Sequence, residues 1–223
     1  MLRIALIALL SLFITTTSVF AQASGDAVKQ LDELGLNYSA DALIASAKAN
    51  DLRAVDLFMA AGMNPDVTDS SGAPALIYAA QDGYMLIAES LLQYGANVNA
   101  VDPANGKTAL YYAVESEDLQ MTRLLLKYGA NPNIPGPHGM TPLMLASQEG
   151  DVALVRLLLQ GGANIFAQAD NGWTPIIFAS QAGNEEVVQI LESWYGDTNP
   201  GPGLAPPVAG QRSSEIRLRI VPQ

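Results

Sequence analysis

Gly139-Met140-Thr141-Pro142-Leu143-Met144-Leu145-Ala146-Ser147-Gln148-Glu149-Gly150 carries a start signal, a packing face and a stop within twelve residues. Thr141 can cap orphan amides, and Pro142 fits the first helical turn, where its missing N–H costs nothing. Leu143, Ala146 and Ser147 then make a compact face, small enough for two helices to lie close. Gly150 ends the helix, because a positive φ is cheap for a residue without Cβ. Beyond it Val152, Val155, Leu158 and Leu159 fall at helical spacing, so a second helix buries one stripe. Gly162 stops that helix, and Asn164 to Gly172 form a turn-rich finger that leads into another copy.

The block recurs. Leu43, Leu76, Leu110, Leu143 and Ile176 hold equivalent places, spaced 33, 34, 33 and 33 residues apart. The first-helix ending returns as Ala79-Ala80-Gln81-Asp82-Gly83 and Ala179-Ser180-Gln181-Ala182-Gly183. Gly-Ala-Asn closes the second helix at Gly95–Asn97, Gly129–Asn131 and Gly162–Asn164. A period of this length predicts stacked helical pairs rather than one globular core. No single copy can bury both of its faces, so neighbours are obligatory.

The spelling resembles a known family. Gly139-Met140-Thr141-Pro142-Leu143-Met144-Leu145-Ala146 is similar to the ankyrin repeat's Gly-x-Thr-Pro-Leu-His-x-Ala. Gly172-Trp173-Thr174-Pro175-Ile176 repeats it, with weaker forms at Gly106-Lys107-Thr108-Ala109-Leu110 and Gly72-Ala73-Pro74-Ala75-Leu76. The resemblance implies an all-α ankyrin-repeat solenoid of about five helix-turn-helix repeats over residues 39–198, with hairpin-like fingers. Two departures stand out. The usual finger Asp is kept at Asp69 but is Gly136 and Ala169 later. The usual His is Ile77, Tyr111, Met144 or Ile177, so looser late fingers are expected. An N-terminal capping helix is read within residues 24–38, at Asp26–Leu36, with Val28, Leu31 and Leu34 on its buried side. Glu185, Glu186 and Glu192 make the last helix polar, as a terminal repeat requires.

The first 23 residues read as an address. Arg3 gives a positive start, Ile4 to Ile14 is an apolar stretch of 11, and Ala21-Gln22-Ala23 fits a small-x-small cleavage site. Cleavage after Ala23 would start the mature chain at Ser24; Val19-Phe20-Ala21 offers a second site. The apolar stretch falls short of the ~20 residues a membrane span needs, and a retained anchor is the alternative. The chain has no cysteine, so lipid attachment at a cysteine is excluded. Disulfides are not needed where stacking supplies stability. The signal has a bacterial look, and a periplasmic location is the expectation, with no membrane association after cleavage.

Charge narrows the partners. The chain carries 11 basic and 22 acidic side chains, and residues 24–198 hold 7 and 21 of them, a net of −14. Nucleic acid and anionic lipid would be repelled, whereas a basic protein would be steered in. Acidity as a solubility device is the alternative. Catalysis finds no residues: His138 is the one histidine, it falls on a finger tip, and a Cys-His pair is impossible. No Cys, His or Glu stands at ligand spacing from it. Glu115, Glu117 and Asp118 form an acidic cluster that reads either as a weak cation site or as a solvated helix end. Asp69, Asp102 and Asp170 read as residues that fix their own turns. No cofactor is expected.

The resemblance implies a non-catalytic protein-binding surface made of finger tips and the exposed ends of the first helices. Carried onto this chain it comprises Gln81, Asp82, Lys107, Glu115, His138, Met140, Gln148, Glu149, Asn171, Trp173 and Gln181. Met140 and Trp173 are large apolar groups where solvent is expected. They read as contact anchors, with packing on a neighbouring finger as the alternative. Tyr78, Tyr111, Tyr112 and Phe178 read as filling between repeats. After residue 198, Pro200, Pro202, Pro206 and Pro207 alternate with Gly201 and Gly203 or precede Gly210, the pattern of an extended linker at the start of a flexible C-terminal tail. Ile216, Leu218 and Ile220 then alternate with Arg217 and Arg219; this tail, 199–223, could pair with a partner, fold back on the acidic body or stay disordered. The expectation is a periplasmic module, monomeric when free, that binds another exported protein. The preferred role is an inhibitor or self-protection protein against a cell-wall hydrolase or similar envelope enzyme. The alternatives are an accessory factor for a periplasmic enzyme, such as an antioxidant one, or a scaffold.

Overall fold

A computed structural model describes residues 23–197; the expected signal, apart from Ala23, and the whole of the tail lie outside them. The chain divides into two compact units, Met1–Ala104 and Asn105–Gln223. In the first, a helix over residues 23–33, α1, precedes two helical hairpins. These pair α2 (Ala40–Lys48) with α3 (Leu52–Ala60), and α4 (Ala75–Gln81) with α5 (Met85–Gln93). The second unit holds three more hairpins. They are α6 (Ala109–Glu115) with α7 (Leu119–Lys127), α8 (Pro142–Glu149) with α9 (Val152–Gln160), and α10 (Pro175–Ala182) with α11 (Glu185–Asp197). A short 3-10 turn, Pro137–Gly139, lies in the finger before α8. Inside each unit successive first helices pack on one another, α2 on α4 and α6 on α8 on α10. Second helices do likewise, α3 on α5 and α7 on α9 on α11. Within each unit the core is therefore a series of thin layers, each closed by a neighbouring repeat of that unit.

Helix ends follow the local chemistry. Ser39, Thr108 and Thr141 cap α2, α6 and α8, and Asp51, Asp118 and Asp151 cap α3, α7 and α9, each accepting a backbone N–H from the first turn. Thr141 has an unusual counterpart, since the Met144 sulfur accepts the Thr141 N–H at 3.3 Å. Thr174 makes no such side-chain cap for α10. Seven residues after each repeat's Leu or Ile the chain turns left-handed to leave the first helix. Gly83, Gly150 and Gly183 do this at no steric cost, but Asn50 (φ +57) and Glu117 (φ +54) do it with a Cβ.

The N-terminal helix differs from expectation at its end. It stops at residue 33, and Leu34 is 44% exposed in the following turn, so Leu34 does not share the buried side. Ala27 and Leu31 carry that side, with Val28 half-buried. Gly35 at φ +71 explains the early stop: Leu34 and Gly35 form the turn that the helix would need to pass through. The last helix matches expectation, with Val187, Ile190 and Leu191 buried and Glu185 and Glu186 exposed.

Candidate protein-binding surface

The first finger is organised by a carboxylate. Asp69 accepts hydrogen bonds from the backbone N–H and hydroxyl of Ser71, from the Tyr78 hydroxyl at 2.7 Å, and from Lys48 at 3.1 Å. Lys48 Nζ lies 3.6 Å from the centroid of the Tyr78 ring, a cation–π contact that holds the ammonium against the aromatic face. Bonds from Ser71, then Tyr78 and Lys48, outweigh burial and hold the Asp69 carboxyl well below the usual carboxylate range. Burial works against the Lys48 charge, yet its bonds to Asp69 and Tyr78 win, and its pKa is raised. Tyr78 is therefore a polar clasp rather than repeat filling, a correction to the expected aromatic series. No short-range pattern reveals it, because Lys48 and Tyr78 lie 30 residues apart and meet only when one repeat stacks on the next. Next to this clasp, Gln81 and Asp82 at the end of α4 are exposed.

In the second unit a different lysine makes a similar arrangement. Lys107 Nζ pairs with Glu115 at 2.6 Å and lies 5.6 Å and 5.1 Å from the ring centroids of Tyr111 and Tyr112. Asn105 donates to the Tyr112 hydroxyl at 2.7 Å. Both rings are buried, as expected of filling residues. Burial, then the Glu115 charge, pushes the Tyr111 hydroxyl up. The acidic cluster read from the sequence separates into three local tasks. Glu115 holds Lys107, Glu117 turns the chain, and Asp118 caps α7 through the N–H groups of Gln120 and Met121. Among the described residues no three His, Cys, Asp or Glu side chains gather as metal ligands.

The two departures from the repeat spelling are one event seen twice. Tyr111, at the His position, lays its ring on the next finger where Asp would stand, and a Cβ at Gly136 would come within 2.6 Å of that ring. Met144, the next residue at the His position, is buried in a cluster with Ala169, again at the Asp position of the following finger, and with Phe178. A bulky apolar group on one repeat thus requires a small one on the next. The fingers are not looser for it. Gly136 N–H bonds Met140 O at 2.8 Å and Ala169 N–H bonds Trp173 O at 3.0 Å, against 3.3 Å for Asp69 N–H to Ala73 O. Packing has replaced the carboxylate.

Met140 and Trp173 join this cluster. Both are half-buried, and the Trp173 ring meets Phe178 edge-on with centroids 5.3 Å apart. They pack against this cluster, which joins adjacent fingers, and each keeps a solvent-facing part. Asn171 is exposed and accepts the Trp173 N–H at 2.9 Å. His138 is exposed at φ +58, and its carbonyl accepts the Asp170 N–H, which ties adjacent fingers. Gln148 and Glu149 at the end of α8 and Gln181 near the end of α10 are exposed. The Gln148 carbonyl is taken by Asn184, which also donates to Ser147 O. Within the second unit, then, the structure brings together Lys107 with Glu115 and Met140 with Trp173. The remaining side chains stand on helix ends and finger tips.

Ankyrin repeats, in a family model of three copies, match the chain over residues 42–136 and again over 133–200. Among curated proteins no match was found.

Proposed function

The chain belongs to the ankyrin-repeat family, whose repeats bind proteins and generally carry no catalysis; from that premise we propose a periplasmic, non-catalytic binder of another exported protein. Its role is that of an inhibitor or self-protection protein, directed at a basic enzyme of the cell envelope such as a cell-wall hydrolase. The observation that carries this reading is the face of the second unit. There Met140 and Trp173 keep half-buried apolar surface, Asp170 stands exposed against Gly139 of the adjoining finger, and Glu149 is exposed at the end of α8. An aromatic anchor with a charged rim is the composition of an interface that excludes water at its centre and selects by charge at its edge. The net charge of −14 over residues 24–198 favours a cationic target. The leader sequence supports the location. No helix among the described residues is long and apolar enough to cross a membrane.

The test is capture from periplasmic extract on immobilised 24–223, with Glu149→Lys/Gln181→Lys as the control. Both sites are exposed, so the control changes surface charge and leaves packing alone; Trp173→Ala would also remove the contact with Phe178. The expected result is one dominant basic protein, lost with the control and inhibited when the complex is assayed. A captured enzyme whose activity rises would instead establish the accessory role, and an empty column would overturn both.

A further inference from the structure

One position of the second helices changes the sign of its charge between the two units. In the first unit α3 and α5 pack together, and Ser90 of α5 donates its hydroxyl to the Asp56 carboxylate of α3 at 2.5 Å. Glu89, beside Ser90, lies 33 positions after Asp56 and holds the same place one repeat on. In the second unit α7 and α9 pack together as well, and a Cβ at Gly161, just beyond α9, would come within 2.9 Å of Leu126 on α7. Arg123 and Arg156 hold the equivalent places there, again 33 positions apart. Neighbouring helix axes stand roughly 8–10 Å apart in such packing. Two carboxylates on one unit and two guanidiniums on the other are thus set at matching intervals.

All four side chains reach solvent. Asp56, Arg123 and Arg156 are exposed and Glu89 is half-buried, and none of them stands in an ion pair among the described residues. α7 and α9 hold no acid, and Lys127, four residues after Arg123, adds a third exposed cation on the same side. On α3 and α5 the one base is Arg53, and Leu86, one turn before Glu89, is 61% exposed. The partner that fits both patterns is a second copy of the chain. We propose that α3 and α5 of one copy dock against α7 and α9 of another. Asp56 and Glu89 then face the two arginines, whose planar forks match a carboxylate, and Leu86 is covered in the contact. Exposed ion pairs hold proteins weakly, and the net charge of −14 over residues 24–198 opposes the approach of two copies. The free chain is therefore in a concentration-dependent equilibrium between single and associated copies, in place of the monomer expected from the sequence. The contact uses second helices, whereas the proposed partner surface is built from fingers and first-helix ends, so either reading can fail alone.

Exchanging the charges tests the contact at one fixed ionic strength of about 0.1 M. Sedimentation of 24–223 over a range of concentrations should show the mean mass rising above that of one copy. Arg123→Glu/Arg156→Glu, which alters exposed groups alone, should lose that rise, and so should Asp56→Arg/Glu89→Arg. An equimolar mixture of the two variants should associate again, because each meets an opposite charge on the other. Asp56 also accepts from Ser90, so Glu89→Arg alone, which spares that bond, takes the place of the second variant if its helix content falls. A parent chain that stays at the mass of one copy at every concentration would overturn the proposal. So would charge-exchanged variants that associate as the parent does, or a mixture of folded variants that fails to associate.

Discussion

A Cβ at Gly136 would stand 2.6 Å from the buried Tyr111 ring, too close for any real contact, and the ring is hemmed in by its own repeat. Gly136→Ala is therefore expected to lower stability by about 1–3 kcal/mol, as overpacking does. Tyr111→Leu should recover part of the loss in the double variant, and denaturant melts of all four proteins measure the coupling. If Gly136→Ala cost as much in the Tyr111→Leu background as in the parent chain, the ring would not be the obstacle. Asp69 gives a pH prediction with a definite sign. Its folded pKa is depressed, so its stabilising contribution is present above the ordinary carboxylate pKa and is lost as pH falls below about 4. Asp69→Asn should flatten the acid limb of the stability curve and release Lys48 from the Tyr78 ring, seen as altered Tyr78 and Lys48 resonances. An unchanged acid limb would remove Asp69 from the account.

At the scale of elements, the helices show where local rules are followed and where the chain tolerates a penalty. Glu117 turns left-handed where Gly83, Gly150 and Gly183 do so freely. Glu117→Gly should raise the melting temperature, by an amount worth about 1 kcal/mol, because the Cβ clash disappears. The Asp118 cap and the Lys107–Glu115 pair are untouched by that change. In α7 the Thr122 hydroxyl is buried without a hydrogen-bond partner among the described residues. Thr122→Val keeps the shape and removes the orphaned polar atom, and a gain of about 1 kcal/mol is expected. A loss in thermal unfolding would mean that the hydroxyl is satisfied after all. Helix existence and stop positions are legible in the sequence because their signals act within a turn or two. The end of α1 is not, because Leu34 continues an apolar spacing that Gly35 interrupts.

At the scale of the molecule, charge is the property with consequences. The second unit exposes apolar surface at Met140 and Trp173 and carboxylates at Glu149 and Asp170, while the chain has twice as many acids as bases. Association with a basic partner should slow as salt rises, with dissociation little altered, as stopped-flow mixing at several ionic strengths would show. Glu149→Lys should slow association further. A rate indifferent to salt would leave the acidity as a solubility device. Of the candidate surface, the helix-end residues Gln81, Asp82, Gln148, Glu149 and Gln181 follow from the resemblance to the family's repeat, carried over residue by residue, and all five are exposed. The dual state of Met140 and Trp173 does not follow from it, since it depends on how each finger packs against its neighbours.

The sequence by itself determined the repeat, its helical pairs and the glycine stops. Those follow from φ preferences and apolar spacing that operate over a few residues. Only the tertiary structure decided that Lys48 lies on Tyr78, that Tyr111 demands Gly136, and that Met144 takes Ala169 as its neighbour. Each of these joins residues 25 or 30 positions apart. Stacking sets such distances, and a single repeat carries no information about which side chain the next will bring.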